Sequence, residues 1–155
     1  AVYDKAVAAA RGQIAPEKLA GLLRDYADFL LKNKQYHRIG SLYAESLTIW
    51  RRLMQENPDA FAPDVAGTLN NLAILHADTQ CQAQAEEEYA EALAIYRRLG
   101  QTTDMYNPQI ENIEKSIDTI IAAGLTKKIS LFRSHYGMLV VLLLVVVGIL
   151  LWILL

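Results

Sequence analysis

The sequence predicts an all-α protein: a short array of helical hairpins followed by a single C-terminal transmembrane helix. Three observations lead to this fold class. Apolar residues recur at the spacing of amphipathic helices through most of the chain. An eleven-residue segment occurs twice, 46 residues apart, with eight identical positions. Residues 136–155 contain no charged side chain.

The central hairpin is predicted within residues 63–99. Its first half carries Val65, Leu69 and Leu72 at helical spacing, and its second half carries Tyr89 and Leu93. Residues 77–82 interrupt the apolar pattern and predict the turn. Small residues in each half face bulky ones in the other, which lets two antiparallel helices approach closely. A lone hairpin leaves apolar surface uncovered, so neighbouring hairpins are expected.

The repeated segment identifies those neighbours. Residues 43–53 read YAESLTIWRRL and residues 89–99 read YAEALAIYRRL. Together with NNLA at residues 70–73, these segments resemble tetratricopeptide repeats (TPRs), in the longer form found in kinesin light chains. The resemblance implies a right-handed array of hairpins, with Ile39 and Ser46 in place of expected alanines. It also implies interhelical packing positions at Ala27, Tyr43, Ala73, Ala85, Tyr89 and Ala92.

The organisation predicted from these patterns has three parts. A repeat domain, 1–124, comprises a partial unit at 1–12, units at 16–57 and 63–100, and a degenerate unit at 107–124. The second helix of the first unit is expected from about Tyr36, the first helix of the next unit is expected to begin at Pro63, and a loop is expected at Gly124. A basic juxtamembrane helix, 125–135, is predicted to bury Leu125, Ile129 and Phe132 and to continue without a break into the span, 136–155.

The apolar C-terminal segment predicts a membrane anchor. Twenty helical residues measure about 30 Å, the thickness of the hydrocarbon core of a bilayer. Acidic residues outnumber Lys and Arg by 17 to 12 before Thr126, whereas Lys127, Lys128 and Arg133 flank the segment. Basic flanks stay cytoplasmic. The repeats are therefore expected in the cytosol, with the C-terminus across the membrane and Trp152 near the far interface.

Motifs for chemistry are absent from the sequence. It holds no phosphate-binding glycine loop, no HExxH and no paired cysteines, and its single Cys81 excludes an intramolecular disulfide. His76 is interpreted as a packed histidine, the glutamates at 86–88 as a solvated first turn, and the arginine pairs at 51–52 and 97–98 as packing and solvation. No enzyme activity, cofactor, metal or nucleic-acid partner is expected.

The TPR resemblance implies a concave groove lined by the first helix of each hairpin, in which asparagines hold extended peptides. Asn71 has an alternative role to peptide binding, which is to tie adjacent repeats together. Two functions follow: a membrane-anchored adaptor that recruits a protein or peptide, or an oligomerising effector whose spans form a pore. The patterns are compatible with a homo-oligomer in both cases. Only Gly137 and Gly148 interrupt the span with small residues, which favours the adaptor. The candidate groove residues are Asn70, Asn71, Ile74, Asp78, Arg24, Asp25 and Lys115.

Overall fold

The computed structural model describes the backbone of residues 2–154 and the side chains of residues 5–131. The described backbone forms α-helices and one short 3-10 helix, and it contains no strand. The α-helices are α1 (Val2–Ala10), α2 (Pro16–Lys32), α3 (Ile39–Glu56), α4 (Pro58–Asp78), α5 (Gln82–Gly100) and α6 (Asn107–Leu154). The 3-10 helix, Asp104–Tyr106, precedes α6. The all-α prediction is confirmed.

The helices of residues 1–117 form one compact unit in which neighbours in sequence are neighbours in space. Helix α2 packs against α3, α3 against α4, and α4 against α5, while α1 covers part of α2. Two tandem hairpins, α2–α3 and α4–α5, therefore share a continuous core. This is how each hairpin covers the apolar face that its neighbour leaves open.

The small and aromatic residues assigned to interhelical packing all lie in this core. Ala27, Tyr43, Ala73, Ala85, Tyr89 and Ala92 are buried. Ser46, at one of the positions where the resemblance leads to alanine, is also buried, and its hydroxyl donates to the carbonyl oxygen of Ala20 at 2.8 Å. Because a buried hydroxyl is costly without a partner, this bond explains how serine is accommodated at the close approach of α2 and α3.

Helix α3 begins at Ile39, three residues later than the start near Tyr36 predicted from the sequence. The turn before it contains two residues with positive φ, Lys34 at 54° and Arg38 at 70°. Left-handed backbone conformations interrupt a right-handed helix, so the helix cannot start before Arg38. The hydroxyl of Ser41 donates to the carbonyl oxygen of Arg38 at 2.8 Å and closes the first turn.

Helix α4 begins at Pro58, five residues before the predicted start at Pro63. The side chain of Asn57 accepts the backbone N–H of Ala60 at 3.3 Å, so asparagine caps the helix and proline occupies its first position. Pro63 lies inside the helix, near its N-terminus. There its missing N–H removes one backbone hydrogen bond. The second hairpin therefore spans 58–100, not 63–100.

Helix α6 continues through Gly124, where a loop was predicted. The predicted degenerate unit at 107–124, the basic segment and the backbone up to Leu154 belong to this one helix, in agreement with the expected continuity after Leu125. The burial predicted for Leu125 and Ile129 is wrong, because both side chains are exposed. Their spacing makes one face apolar, but the described chain supplies no later helix to cover it. Residues 118–155 form a separate compact unit.

Within residues 5–131, whose side chains the structure describes, no helix has an apolar stretch long enough to cross a bilayer. The predicted span, 136–155, and the side chains of Phe132, Arg133 and Trp152 lie outside the described side chains.

Candidate functional site

The candidate site is a groove between α2 and α4, the first helices of the two hairpins. Its cavity volume is about 460 Å³. On α2, positions 28, 31 and 32 fall on one face because they are three and four residues apart, and positions 71 and 74 do the same on α4. The lining residues are Asp28, Leu31, Lys32, Asn71 and Ile74. We call this the α2–α4 groove.

A chain of polar side chains runs along the edge of the groove. Asp28 Oδ1 accepts the hydroxyl of Tyr43 at 2.5 Å and the Nδ2 group of Asn71 at 2.8 Å. Asn71 Oδ1 in turn accepts Nδ2 of Asn70 at 3.3 Å. One carboxylate oxygen therefore connects α2 to its hairpin partner α3 and to the next hairpin at α4.

The tyrosine in this network stays a donor. Burial, reinforced by the hydrogen bond and charge of Asp28, raises the pKa of the Tyr43 hydroxyl far above its ordinary value. The phenol is consequently protonated at any physiological pH, and its hydrogen is directed at Asp28. A bond from a protonated donor to a partly buried carboxylate is among the stronger hydrogen bonds in proteins.

The network changes the interpretation of the two asparagines. Asn71 lines the groove, as predicted, but its amide is engaged with Asp28 of the preceding hairpin. This matches the alternative in which Asn71 ties adjacent repeats. Asn70 makes only the longer bond to Asn71 among the hydrogen bonds described for its side chain. Of the two asparagines, Asn70 has the weaker tie to the fold.

The predicted residue Arg24 contributes to packing between the hairpins. Its guanidinium donates from Nη1 to Asp64 Oδ1 at 2.7 Å, which links α2 to α4. The same group lies 5.9 Å from the ring centroid of buried Trp50. Asp25 is mostly exposed, with its carboxylate 4.0 Å from Arg24 Nε. Neither Arg24 nor Asp25 lines the α2–α4 groove.

The last two predicted groove residues lie elsewhere. Asp78, at the end of α4, accepts the hydroxyl of Tyr36 at a long 3.5 Å. Lys115 is exposed on α6 and is not part of the α2–α4 groove. The structure therefore brings together two of the seven predicted residues, Asn71 and Ile74, in the groove lining.

Sequence reasoning missed Asp28, Leu31 and Lys32. The 46-residue repeat offset contained the necessary signal, since it relates Ile74 to Asp28 and Asp78 to Lys32. The first hairpin supplies the charged part of the lining, and the second hairpin supplies an amide and an aliphatic side chain.

A second polar cluster joins α4 to α5. His76 Nδ1 lies 2.7 Å from Glu88 Oε2, and the two side chains are only 22% and 16% exposed. Burial raises the pKa of the Glu88 carboxyl, although its bond to His76 acts in the opposite direction. The packed histidine was predicted. The glutamate was expected to be solvated, and its contact with His76 required the α4–α5 turn to place them side by side.

The repeated arginines form ion pairs with glutamates on other helices. Arg51 donates to both carboxylate oxygens of Glu91 at 2.7 and 2.6 Å. Its equivalent, Arg97, donates to Glu114 Oε1 at 2.6 Å. Arg11 and Glu45 form a similar pair at 2.7 Å. All are solvent-exposed, so each contributes between about 0 and 1 kcal/mol. These arginines are engaged within the chain.

Among the described side chains, no three His, Cys, Asp or Glu residues are close enough to hold a metal ion. Cys81 is a free, partly exposed thiol whose Sγ lies 3.7 Å from the carbonyl oxygen of Thr79.

The chain was compared with known protein families and with curated proteins. No family model matches it, and no curated protein matches it.

Proposed function

We propose that this protein is a membrane-anchored TPR scaffold that recruits a protein or peptide partner to the membrane surface. The observation that carries the proposal is the α2–α4 groove, which is formed by equivalent helices of two tandem hairpins. The 46-residue sequence repeat supports the assignment of these hairpins to the TPR type. The proposal assigns no catalytic role to the groove.

The groove has the chemical variety that a short peptide segment needs. Leu31 and Ile74 provide an aliphatic contact for one apolar side chain, and Lys32 provides an exposed cation for an acidic or carbonyl group. A volume of about 460 Å³ lies within the range of small binding pockets, which accommodates only a few residues. Modest affinity is therefore expected.

The sequence of the C-terminal segment supports the membrane part of the proposal. Residues 136–155 are uncharged and would form a helix of about 30 Å, enough to cross the hydrocarbon core. Lys127, Lys128 and Arg133 precede the span and favour a cytosolic position for the repeats. A partner bound in the groove would then be held at the cytosolic face of the membrane.

Site-specific photocrosslinking in cells tests the groove directly. A photoreactive phenylalanine analogue is introduced at Ile74 in the full chain, and a matched control carries it at exposed Ala94 on α5. The proposal predicts a defined crosslinked partner from position 74 that position 94 does not give. Adding Lys32→Glu should abolish that product while the protein remains folded.

Two results would contradict the proposal. Identical crosslinked products from positions 74 and 94 would mean that the groove has no partner of its own. A product from position 74 that is unaffected by Lys32→Glu would mean that the charge of the groove takes no part in recognition.

A further inference from the structure

The cytosolic end of the predicted anchor has an unusual exposed surface on α6. Leu125, Ile129 and Leu131 are 56%, 66% and 63% exposed. Lys127 and Lys128, which lie between them, are exposed as well. Aliphatic side chains of this size are costly to leave in water, at roughly 25 cal/mol for each Å² of apolar surface. A surface that combines exposed aliphatic groups with lysines is typical of helices that contact membranes.

The charge of this surface has one sign. Asp118 is the last acidic residue in the sequence, whereas Lys127, Lys128 and Arg133 follow it. A negatively charged lipid surface attracts basic segments next to a membrane span, and it would meet no opposing carboxylate here. The body of the protein before Thr126 is acidic, with 17 acidic residues to 12 basic ones, so the attraction is confined to this segment.

The position of each residue along the helix decides which of them reach the lipid. With a rise of 1.5 Å per residue, Leu131 lies about 8 Å and Ile129 about 10 Å from Tyr136, the first residue of the predicted span. The headgroup layer on each side of a bilayer is about 5 to 8 Å deep. Leu131 therefore lies at the outer edge of that layer, and Ile129 lies about 2 Å beyond it. Leu125, at about 16 Å, stays above it.

A second copy of the chain fits this surface less well. Lys128 is three residues from both Leu125 and Leu131, so it shares their face of the helix. A parallel copy held in the same membrane would bring the two Lys128 ammonium groups together as it covered the aliphatic side chains. An anionic lipid surface satisfies the lysines and the aliphatic groups at the same time.

We propose that residues 127–131 form a lipid-binding collar that selects anionic headgroups. The long side chains of Lys127 and Lys128 extend to phosphate and carboxylate groups of the headgroups, while Leu131 contacts the outer edge of the headgroup layer. The inference rests on the proposed membrane anchor, and it adds a preference for a negatively charged leaflet. Such a preference would place the groove at membranes or domains rich in anionic lipid.

The test uses the full chain in vesicles of phosphatidylcholine with or without phosphatidylserine. Cys81→Ser removes the native thiol, and an environment-sensitive fluorophore is attached to Ile129→Cys, Leu131→Cys or Leu125→Cys. Quenching by headgroup-spin-labelled phosphatidylserine, relative to spin-labelled phosphatidylcholine, reports the local lipid preference. We expect the strongest quenching at position 131, weaker quenching at position 129 and little at position 125, because the distance from the headgroups increases in that order.

Charge variants separate specific attraction from simple proximity. Each lysine near the surface contributes roughly a fivefold preference, so Lys127→Gln with Lys128→Gln should reduce the serine-lipid preference at position 129 by about 25-fold at most. Lys18→Gln on α2, a matched loss of charge far from this segment, should leave the preference unchanged. If the double variant keeps the same preference for phosphatidylserine as the native chain, the collar is overturned.

Flotation of the same vesicles distinguishes the collar from the anchor. A chain that floats with both vesicle types but has no quenching at positions 129 and 131 retains its anchor and lacks the collar. A chain that floats with neither vesicle type overturns both proposals. Fluorophore shielding at position 129 without lipid quenching, together with excimer formation between labelled chains, would assign the surface to a second copy and overturn the collar.

Discussion

Asn71 on α4 donates its Nδ2 group to Asp28 Oδ1 on α2, at 2.8 Å, across the boundary between the two hairpins. The same oxygen accepts the hydroxyl of Tyr43 from α3 at 2.5 Å. Three helices therefore meet at one partly buried carboxylate beside the α2–α4 groove. This junction links the first hairpin to the second at the edge of the groove.

Replacing Asn71 should destabilise the junction. We expect Asn71→Ala to lower the free energy of unfolding by about 1 to 2 kcal/mol, because it removes a hydrogen bond to a charged acceptor in a partly buried site. Asn70→Ala serves as the neighbouring control and should cost less than about 0.5 kcal/mol, like other changes outside the core. Chemical denaturation measures both. Equal losses would mean that Asn70 is also a structural tie.

Enlarging Ala92 should overpack the second hairpin. Ala92 is completely buried on α5, so Ala92→Leu has no space for three additional carbon atoms and should cost about 1 to 3 kcal/mol. Ala94→Leu, an exposed change on the same helix, should alter stability by less than about 0.5 kcal/mol. Thermal melting compares the two. Similar midpoints would show that α4 and α5 are not closely packed at Ala92.

Gly124 provides a test of the uninterrupted helix α6. A Cβ at this position would have no neighbour within 4 Å, so Gly124→Ala should stabilise the local helix by about 0.5 to 1 kcal/mol. Gly67 in α4 is the comparison, because its Cβ would lie 3.4 Å from the Tyr96 hydroxyl oxygen and the gain should be smaller. Hydrogen exchange of amides 118–130 reports the effect of Gly124→Ala, and hydrogen exchange of the α4 amides reports the effect of Gly67→Ala. Faster exchange in Gly124→Ala than in the native chain would contradict the uninterrupted helix and favour the loop predicted from the sequence.

The Glu88 carboxyl predicts a specific dependence of stability on pH. Burial raises its folded pKa above the ordinary value of 4.5, so the folded state binds more protons than the unfolded state between the two values. The contribution of Glu88 is fully present below pH 4.5 and is lost as the pH rises through the folded pKa. The free energy of unfolding of the native chain should therefore fall with rising pH relative to that of Glu88→Gln.

Denaturation from pH 4 to 8 measures this difference, and Glu87→Gln on the exposed face of α5 is the control. The native chain and the control should give parallel profiles. A native profile that instead rises with pH relative to Glu88→Gln would mean that the attraction of His76 outweighs the burial of the carboxyl.

Cys81 tests the orientation of the protein in the membrane. The thiol is partly exposed in the α4–α5 turn, so a maleimide can reach it. If the basic flank keeps the repeats in the cytosol, a membrane-impermeant maleimide should label Cys81 in cells only after detergent is added. A Cys81→Ser chain with Ala94→Cys, at an exposed position on another helix, should behave identically. Labelling of intact cells would place the repeats on the outer side.

The sequence alone determined the all-α class, the tandem hairpins and the positions buried between helices. Each of these depends on the periodicity of apolar and small side chains along a few helical turns. The 46-residue repeat shows the same pattern in both hairpins. The repeat offset also relates the groove residues Asp28 and Ile74, because a repeated backbone places equivalent residues on equivalent faces.

Only the tertiary structure decided which side chains meet across hairpins and which apolar faces are covered. Asn71 and Asp28 are 43 residues apart, and Arg24 and Asp64 are 40 apart, so no local pattern relates them. Leu125 and Ile129 continue the apolar stripe of α6 yet are exposed. The spacing of residues in a helix fixes which side chains share a face, whereas burial requires a second element against that face.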